Sequence, residues 1–142
     1  MNNDIWSNKK IGALGEAAAG KYIEGKSYQI LLRNYSVPMG EIDLIAKKDN
    51  IIVFIEVKTR TNQRYGNPEE SINIARVGRI RKVAQYFLKG FKGSGDYDIR
   101  FDIISILADR KKLERLSGKE TDCSKIAGMS DQYCTIEHII DA

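Results

Sequence analysis

The chain has 142 residues, of which 42% are hydrophobic and 30% carry charges of both signs. This composition indicates one globular domain rather than a disordered chain, and no apolar run is long enough to cross a membrane. The N-terminal segment lacks the apolar core of a signal peptide, and Cys123 and Cys134 lack the close spacing of zinc ligands, so we expect a single cytoplasmic domain over residues 1–142.

The predicted elements alternate between helices and strands. Apolar residues at helical spacing predict a first helix from Asn8 to Lys26. Strand-like runs follow at Tyr28–Tyr35, Glu41–Lys47 and Ile51–Lys58, then a helix at Glu69–Lys89 and strands at Ile99–Leu107 and Thr135–Ile140. The order α-β-β-β-α-β predicts an α/β fold in which helices pack on a mixed sheet.

Two segments depart from these regular patterns. Gly12, Gly15 and Gly20 weaken the first helix, so we expect a close packing partner to compensate for them. Residues 109–132 are polar and charged and show no clear periodicity, which predicts a mobile loop.

The predicted hairpin brings two acidic residues together. A two-residue turn at Asp49-Asn50 would pair Lys48 with Ile51 and set Asp43 directly opposite Glu56. A four-residue loop would shift this register by two and keep both on one face. Like charges at that separation repel each other, so a cation is expected between them.

The end of the third strand turns polar on one face. Glu56 and Lys58 share that face with Ile52 and Phe54, and charges at the rim of a buried sheet need a partner or a metal. Two carboxylates suit Mg²⁺ or Mn²⁺, and an ammonium group suits a phosphate, so Asp43, Glu56 and Lys58 are candidate catalytic residues for metal-assisted phosphodiester hydrolysis. The alternative is a rim salt bridge between Glu56 and Lys58 beside an exposed Asp43.

The motifs around this hairpin resemble a known family. The stretch GEIDLIAKKDNIIVFIEVKTR, with GALGEAAAGKYI before it and RFDIISI after it, resembles the YraN-like family of uncharacterised bacterial proteins. That family is similar to archaeal Holliday-junction resolvases, which have a restriction-endonuclease-like core of the PD-(D/E)xK group. The sequence departs from the pattern at Ile42, where the motif has proline, and at Ser36, where a basic residue is expected.

The resemblance implies roles for several residues. Asp43 and Glu56 would be the metal carboxylates, Lys58 the catalytic lysine, and Glu16 an accessory glutamate near the metal. From the helical pattern alone, Glu16 lies at the edge of the apolar stripe and could equally be an exposed glutamate.

Basic residues concentrate after the third strand. Nine Lys or Arg residues lie from Lys58 to Lys92, against two acidic ones. In the second helix, Arg79 and Lys82 fall outside the apolar arc and could meet phosphates, whereas Arg76 falls inside it and is the candidate for the active cleft. A salt bridge from Arg76 to Asp102 is the alternative. Arg60 either contacts a phosphate or is simply solvated.

These observations lead to three functional hypotheses. The first is a magnesium-dependent endonuclease that acts on structured or branched DNA and reads its shape through phosphates, with a homodimer expected if the substrate is symmetric. The second is a nucleic-acid-binding module that keeps the nuclease fold without cleaving. The third is a protein-interaction subunit that presents its basic helix to an acidic partner.

Overall fold

The structure is a computed structural model that describes residues 6–61, 74–91, 96–117 and 126–142, with the backbone alone described at 74–77. Its helices are α1 (Asn8–Gly25), α2 (Ile74–Gly90) and α3 (Arg110–Ser117). Its strands are β1 (Gln29–Val37), β2 (Gly40–Lys48), β3 (Ile51–Arg60), β4 (Asp98–Ala108) and β5 (Cys134–Ile139). A short 3₁₀ helix at Ser130–Gln132 precedes β5.

The strands form one five-stranded sheet in the order β1-β2-β3-β4-β5. Neighbouring strands are antiparallel except for β3 and β4, which are parallel. A parallel pair needs a crossover connection, and α2 lies in it. The predicted α/β fold with a mixed sheet is therefore confirmed. Within the described ranges, none of the helices has both the length and the apolar character that spanning a bilayer requires.

Helices cover both faces of the sheet. One core lies on the α1 side and includes Leu14, Ala18 and Ile55, and the other lies on the α2 side and includes Phe54 and Phe87. Strand β3 is buried on both faces, as its two apolar alternations predict. Its polar end begins at the buried Glu56, and the strand becomes half-buried from Val57 onward.

Two of the three glycines that were expected to weaken α1 do have close packing partners. A Cβ atom at Gly15 would overlap the side chain of Thr59 on β3, and one at Gly20 would lie 2.5 Å from a guanidinium nitrogen of Arg33. A Cβ at Gly12 would meet nothing within 4 Å. The absence of a side chain at Gly15 thus lets α1 lie directly against β3.

The described elements match the predicted ones to within two residues at each end, except in two places. The predicted start of the second helix at Glu69 lies outside the described residues. The predicted loop at 109–132 is wrong over 110–117, where α3 forms with Leu113 fully buried. Asp109 caps this helix, since its Oδ1 accepts from the backbone N of Lys111 at 3.0 Å and of Lys112 at 3.2 Å. The helix is too short for a visible apolar period.

Candidate functional site

The hairpin of β2 and β3 sets the register of the candidate site. Lys48 pairs with Ile51 across a two-residue turn, as predicted, and Asp49 in this turn has φ 53°. The ladder continues pair by pair to Leu44 and Ile55. Counting from the turn therefore gives the correct register as far as Leu44, the residue next to Asp43.

Asp43 joins the two strands through its side chain. Its Oδ2 accepts a hydrogen bond from the backbone N of Val57 at 2.8 Å. On the other neighbouring strand, Asn34 adopts φ 51°, a left-handed conformation, and the register of β1 with β2 is the same on either side of it. The predicted pair of Asp43 with Glu56 would come directly after the last backbone pair, Leu44 with Ile55. At this point the two strands are joined by the side chain of Asp43.

Glu56 and Lys58 occupy the polar end of β3. Glu56 is 8% exposed, and its Oε1 lies 3.6 Å from the Nζ of Lys58. The ion pair of the salt-bridge alternative is thus present. Asp43, however, is half-buried and holds Val57, so it is not the exposed residue that this alternative describes.

Glu16 brings α1 to the same place. Its pKa is raised above the usual value, first by burial and then by the charges of Asp43 and Glu41, with a hydrogen bond to Asp43 adding to the effect. Glu16 therefore lies beside Asp43. Glu41, which was not predicted from the sequence, lies near these two residues, and we refer to Glu16, Glu41 and Asp43 as the acidic group. The position of Glu41 two residues before Asp43 in the GEID motif is the signal that could have identified it.

A cavity of about 130 Å³ opens between the acidic group and α2. Glu41, Asp43 and Glu56 line it together with apolar side chains that include Phe54 and Ile80. Arg81 is the one basic side chain among its described lining residues. The sequence pointed instead to Arg76, whose side chain lies outside the described part of the chain.

The other predicted basic residues with described side chains are not among the residues that line this cavity. Arg79 is exposed and lines a neighbouring cavity of about 200 Å³ with Gly40 and Glu41. Lys82 is exposed on α2, and Arg60 is half-buried at the end of β3. Arg79 and Arg81 are therefore the described arginines of α2 that border the acidic group.

Asp102 also lines the cavity of about 130 Å³, but its charge is balanced by partners of its own. Arg100 donates to both of its carboxylate oxygens, at 2.9 and 2.8 Å, and His138 Nε2 lies 2.7 Å from Oδ2. The backbone N of Asp141 donates to Oδ1 at 3.0 Å. The sequence offered a salt bridge from Arg76 to Asp102 as an alternative, but the side chain of Arg76 lies outside the described residues. The described cation partner is Arg100, which shares a strand face with Asp102 two residues away.

The acidic group fits a divalent metal in its chemistry but not in its arrangement. Carboxylate oxygens are the ligands that Mg²⁺ and Mn²⁺ prefer, and the mutual repulsion at Glu16 is what a bound cation would relieve. Within the described residues, no three side chains of Asp, Glu, His or Cys are arranged so as to hold one ion. Binding would therefore require these side chains to adjust their rotamers.

Comparisons with known proteins identify the family. The profile of the uncharacterised protein family UPF0102 matches residues 15–106. A UPF0102 protein of Alkaliphilus oremlandii is 45% identical over 106 residues, which cover 74% of this chain and 91% of that protein. A UPF0102 protein of Chloroherpeton thalassium is 38% identical over 136 residues, covering 96% of this chain and 99% of that protein. The expected YraN-like relationship is confirmed, and the chain belongs to the uncharacterised protein family UPF0102.

Proposed function

We propose that this protein binds nucleic acid and is a divalent-metal-dependent endonuclease for structured or branched DNA, with its mixed sheet as a restriction-endonuclease-like core. The observation that carries the proposal is the convergence of acidic side chains from α1, β2 and β3 beside Lys58 and Arg81. Carboxylates for a metal and cations for a phosphate are the two requirements of metal-assisted phosphodiester hydrolysis.

The acidic residues divide into ligands and supports. Asp43 and Glu56 would hold Mg²⁺ or Mn²⁺, with Glu16 as the accessory carboxylate. The metal would supply Lewis-acid activation of the phosphate and of a water molecule. The hydrogen bond from Val57 to Asp43 supports this role, since it ties the carboxylate of Asp43 to the residue that follows Glu56.

Lys58 would act on the reacting groups. Its ammonium lies 3.6 Å from Glu56 Oε1, so it stays beside the proposed metal carboxylate. There it can orient the attacking water and offset the negative charge that grows on the phosphate in the transition state. Arg81 would hold the substrate phosphate at the cavity, while Arg60, Arg79 and Lys82 would contact the backbone further away.

The decisive experiment is cleavage by purified protein of linear, flapped and four-way DNAs with Mg²⁺ or Mn²⁺. Lys58→Ala should lower the cleavage rate by about 10²–10³-fold and leave DNA affinity nearly intact, because the lysine acts on the transition state. Lys48→Ala, at the turn end of the same hairpin, is the matched control and should cleave normally. Equal cleavage by Lys58→Ala would exclude the proposed role of this lysine.

A non-catalytic nucleic-acid-binding module is the second candidate. It is favoured by the lack, within the described residues, of three side chains arranged around one ion, and by the ion pair that already joins Lys58 to Glu56. This candidate predicts that the wild-type protein binds DNA in EDTA and cleaves none of the substrates with either metal.

A further inference from the structure

The outer face of α2 carries basic residues and an aromatic ring. Residues 74–90 include five Lys or Arg residues and no acidic one. Arg79, Lys82, Tyr86 and Lys89 follow one another at spacings of three and four, so they lie on one side of the helix. All four are exposed. We refer to these four residues as the basic ridge.

Tyr86 is the unusual member of the basic ridge. Its side chain is 52% exposed, whereas the neighbouring Phe87 is 8% exposed in the core on the α2 side of the sheet. Val83 and Ala84 are also buried in that core, so α2 packs on the sheet without Tyr86. An exposed phenol ring between cations is suited to stacking on a flat, anionic ligand.

We propose that the basic ridge binds an unpaired strand of nucleic acid, with Tyr86 stacked on a base and the three cations on phosphates. This inference rests on the proposed function, because the basic ridge begins beside the acidic group. Arg79 lines a cavity with Glu41, and Lys89 lies ten residues further along the helix, about 15 Å away. A single strand leaving the site would follow α2, so the substrate would carry an unpaired arm.

The tyrosine distinguishes an unpaired strand from other anionic partners. Bases in a duplex already stack on one another, so a duplex would use the three cations and leave the ring without a role. Bases of a single strand offer open faces, and aromatic stacking contributes about 1–3 kcal/mol per base. An acidic polypeptide such as polyglutamate has no ring to stack on Tyr86, so it would be held by charge alone.

Binding can be measured by fluorescence anisotropy in EDTA, so that cleavage plays no part. The probes are labelled oligothymidylate and oligouridylate of about 20 nucleotides, long enough to span one binding face, and a duplex of mixed sequence. Tyr86→Ala should weaken binding of a single strand by about 5- to 150-fold, leave the duplex unaffected and leave the salt slope unchanged. Tyr86→Phe should bind like wild type. Gln85→Ala, the exposed neighbour on α2, is the matched control.

The cations of the basic ridge give a different signature. Arg79→Ala with Lys82→Ala should weaken both single-strand and duplex binding and flatten the slope of log affinity against log salt by about 1.5 to 2 units. Preference of the wild type for the DNA or the RNA strand identifies the natural source of the unpaired strand, and either result supports the proposal.

Three outcomes would overturn the inference. The first is wild-type affinity of Tyr86→Ala for the single strand, or an equal loss on the duplex. The second is displacement of the strand by polyglutamate as efficiently as by unlabelled oligonucleotide. The third is wild-type binding to duplex alone, which would leave the proposed endonuclease standing. Single-strand binding through Tyr86 without any cleavage would instead keep the inference and remove the nuclease activity.

Discussion

Two sets of carboxylates, one on β4 and one shared between α1 and β2, differ in how their charge is balanced. Asp102 is 2% exposed and accepts hydrogen bonds from Arg100 and a backbone N–H, with His138 beside it. In the acidic group of Glu16, Glu41 and Asp43, the pKa of Glu16 is raised, first by burial and then by the charges of the other two carboxylates. The first arrangement suits a permanent structural role, whereas the second is stabilised further by any cation that enters it.

The contrast bears on the proposed metal site. Burying a carboxylate is unfavourable unless donors or cations compensate for it, and Arg100 provides that compensation for Asp102. Around Glu16, burial and the charges of Asp43 and Glu41 together raise the pKa of the carboxyl, and this is the imbalance that the proposed metal ion would relieve.

Removing the balanced charge should give the largest effect on stability. Asp102→Asn should lower the free energy of unfolding by about 3 kcal/mol at neutral pH, because it leaves the Arg100 guanidinium without its buried counter-charge. Urea titration measures this change. Asp98→Asn, exposed at the start of the same strand, is the control and should be nearly neutral. A change at Asp102 as small as that of the control would contradict the structural role.

The same variant has a defined pH dependence. Burial pushes the pKa of Asp102 upward, but the hydrogen bonds from Arg100, Asp141 and His138 outweigh burial and lower it below the usual value. A carboxyl whose pKa is lowered by folding stabilises the protein above its unfolded pKa, and this stabilisation is lost as the pH falls through the folded value. The difference between wild type and Asp102→Asn should therefore shrink on acidification below about pH 4.

Adding a metal should remove the imbalance of the acidic group. Manganese at a hundredfold excess over its Kd would stabilise the wild type by about 2.7 kcal/mol, provided that it binds only the folded state. Asp43→Asn should show no such gain, although its amide oxygen can still accept from Val57. Paired thermal melts in EDTA and in manganese measure both effects. A wild-type melting temperature that is the same in EDTA and in millimolar manganese would count against the metal site.

Relieving the repulsion by mutation should give the smallest effect. Glu16→Gln removes one negative charge beside Asp43 and Glu41 and keeps a polar side chain, so it should raise the stability of the metal-free protein by about 0.5 kcal/mol at neutral pH. Glu24→Gln, on an exposed position of the same helix, should change little. Chemical denaturation of both variants in EDTA would show the difference, and a destabilised Glu16→Gln would mean that this charge is already compensated.

The sequence predicted those parts of the molecule that depend on local pattern. Alternation and turn chemistry gave the register from Lys48–Ile51 to Leu44–Ile55, and hence the neighbourhood of Asp43. They did not give the use of the Asp43 side chain to reach Val57, because that contact begins where the backbone ladder ends. The pairing of Arg100 with Asp102 could have been found from their two-residue spacing on one strand.

Contacts between segments that are distant along the chain could not be predicted from local sequence patterns. Nothing local indicates that His138 meets Asp102 across 36 residues of chain. Helix α3 was missed because Leu113 and Leu116 alone cannot establish a period within eight residues. Which arginine of α2 lines the cavity depends on how the helix is rotated about its axis over the sheet. A rotation equivalent to one residue would turn Arg81 away from the cavity and bring a neighbouring side chain there.

The close approach of α1 to β3 at Gly15 has a consequence for the dynamics of the site. Because no side chain separates the helix backbone from Thr59, α1 has little room to shift without losing contact with the sheet. Glu16, the next residue, is carried by the same helical turn. Binding of a ligand to Glu16 should therefore slow amide hydrogen exchange along α1, including at residues that the ligand does not touch.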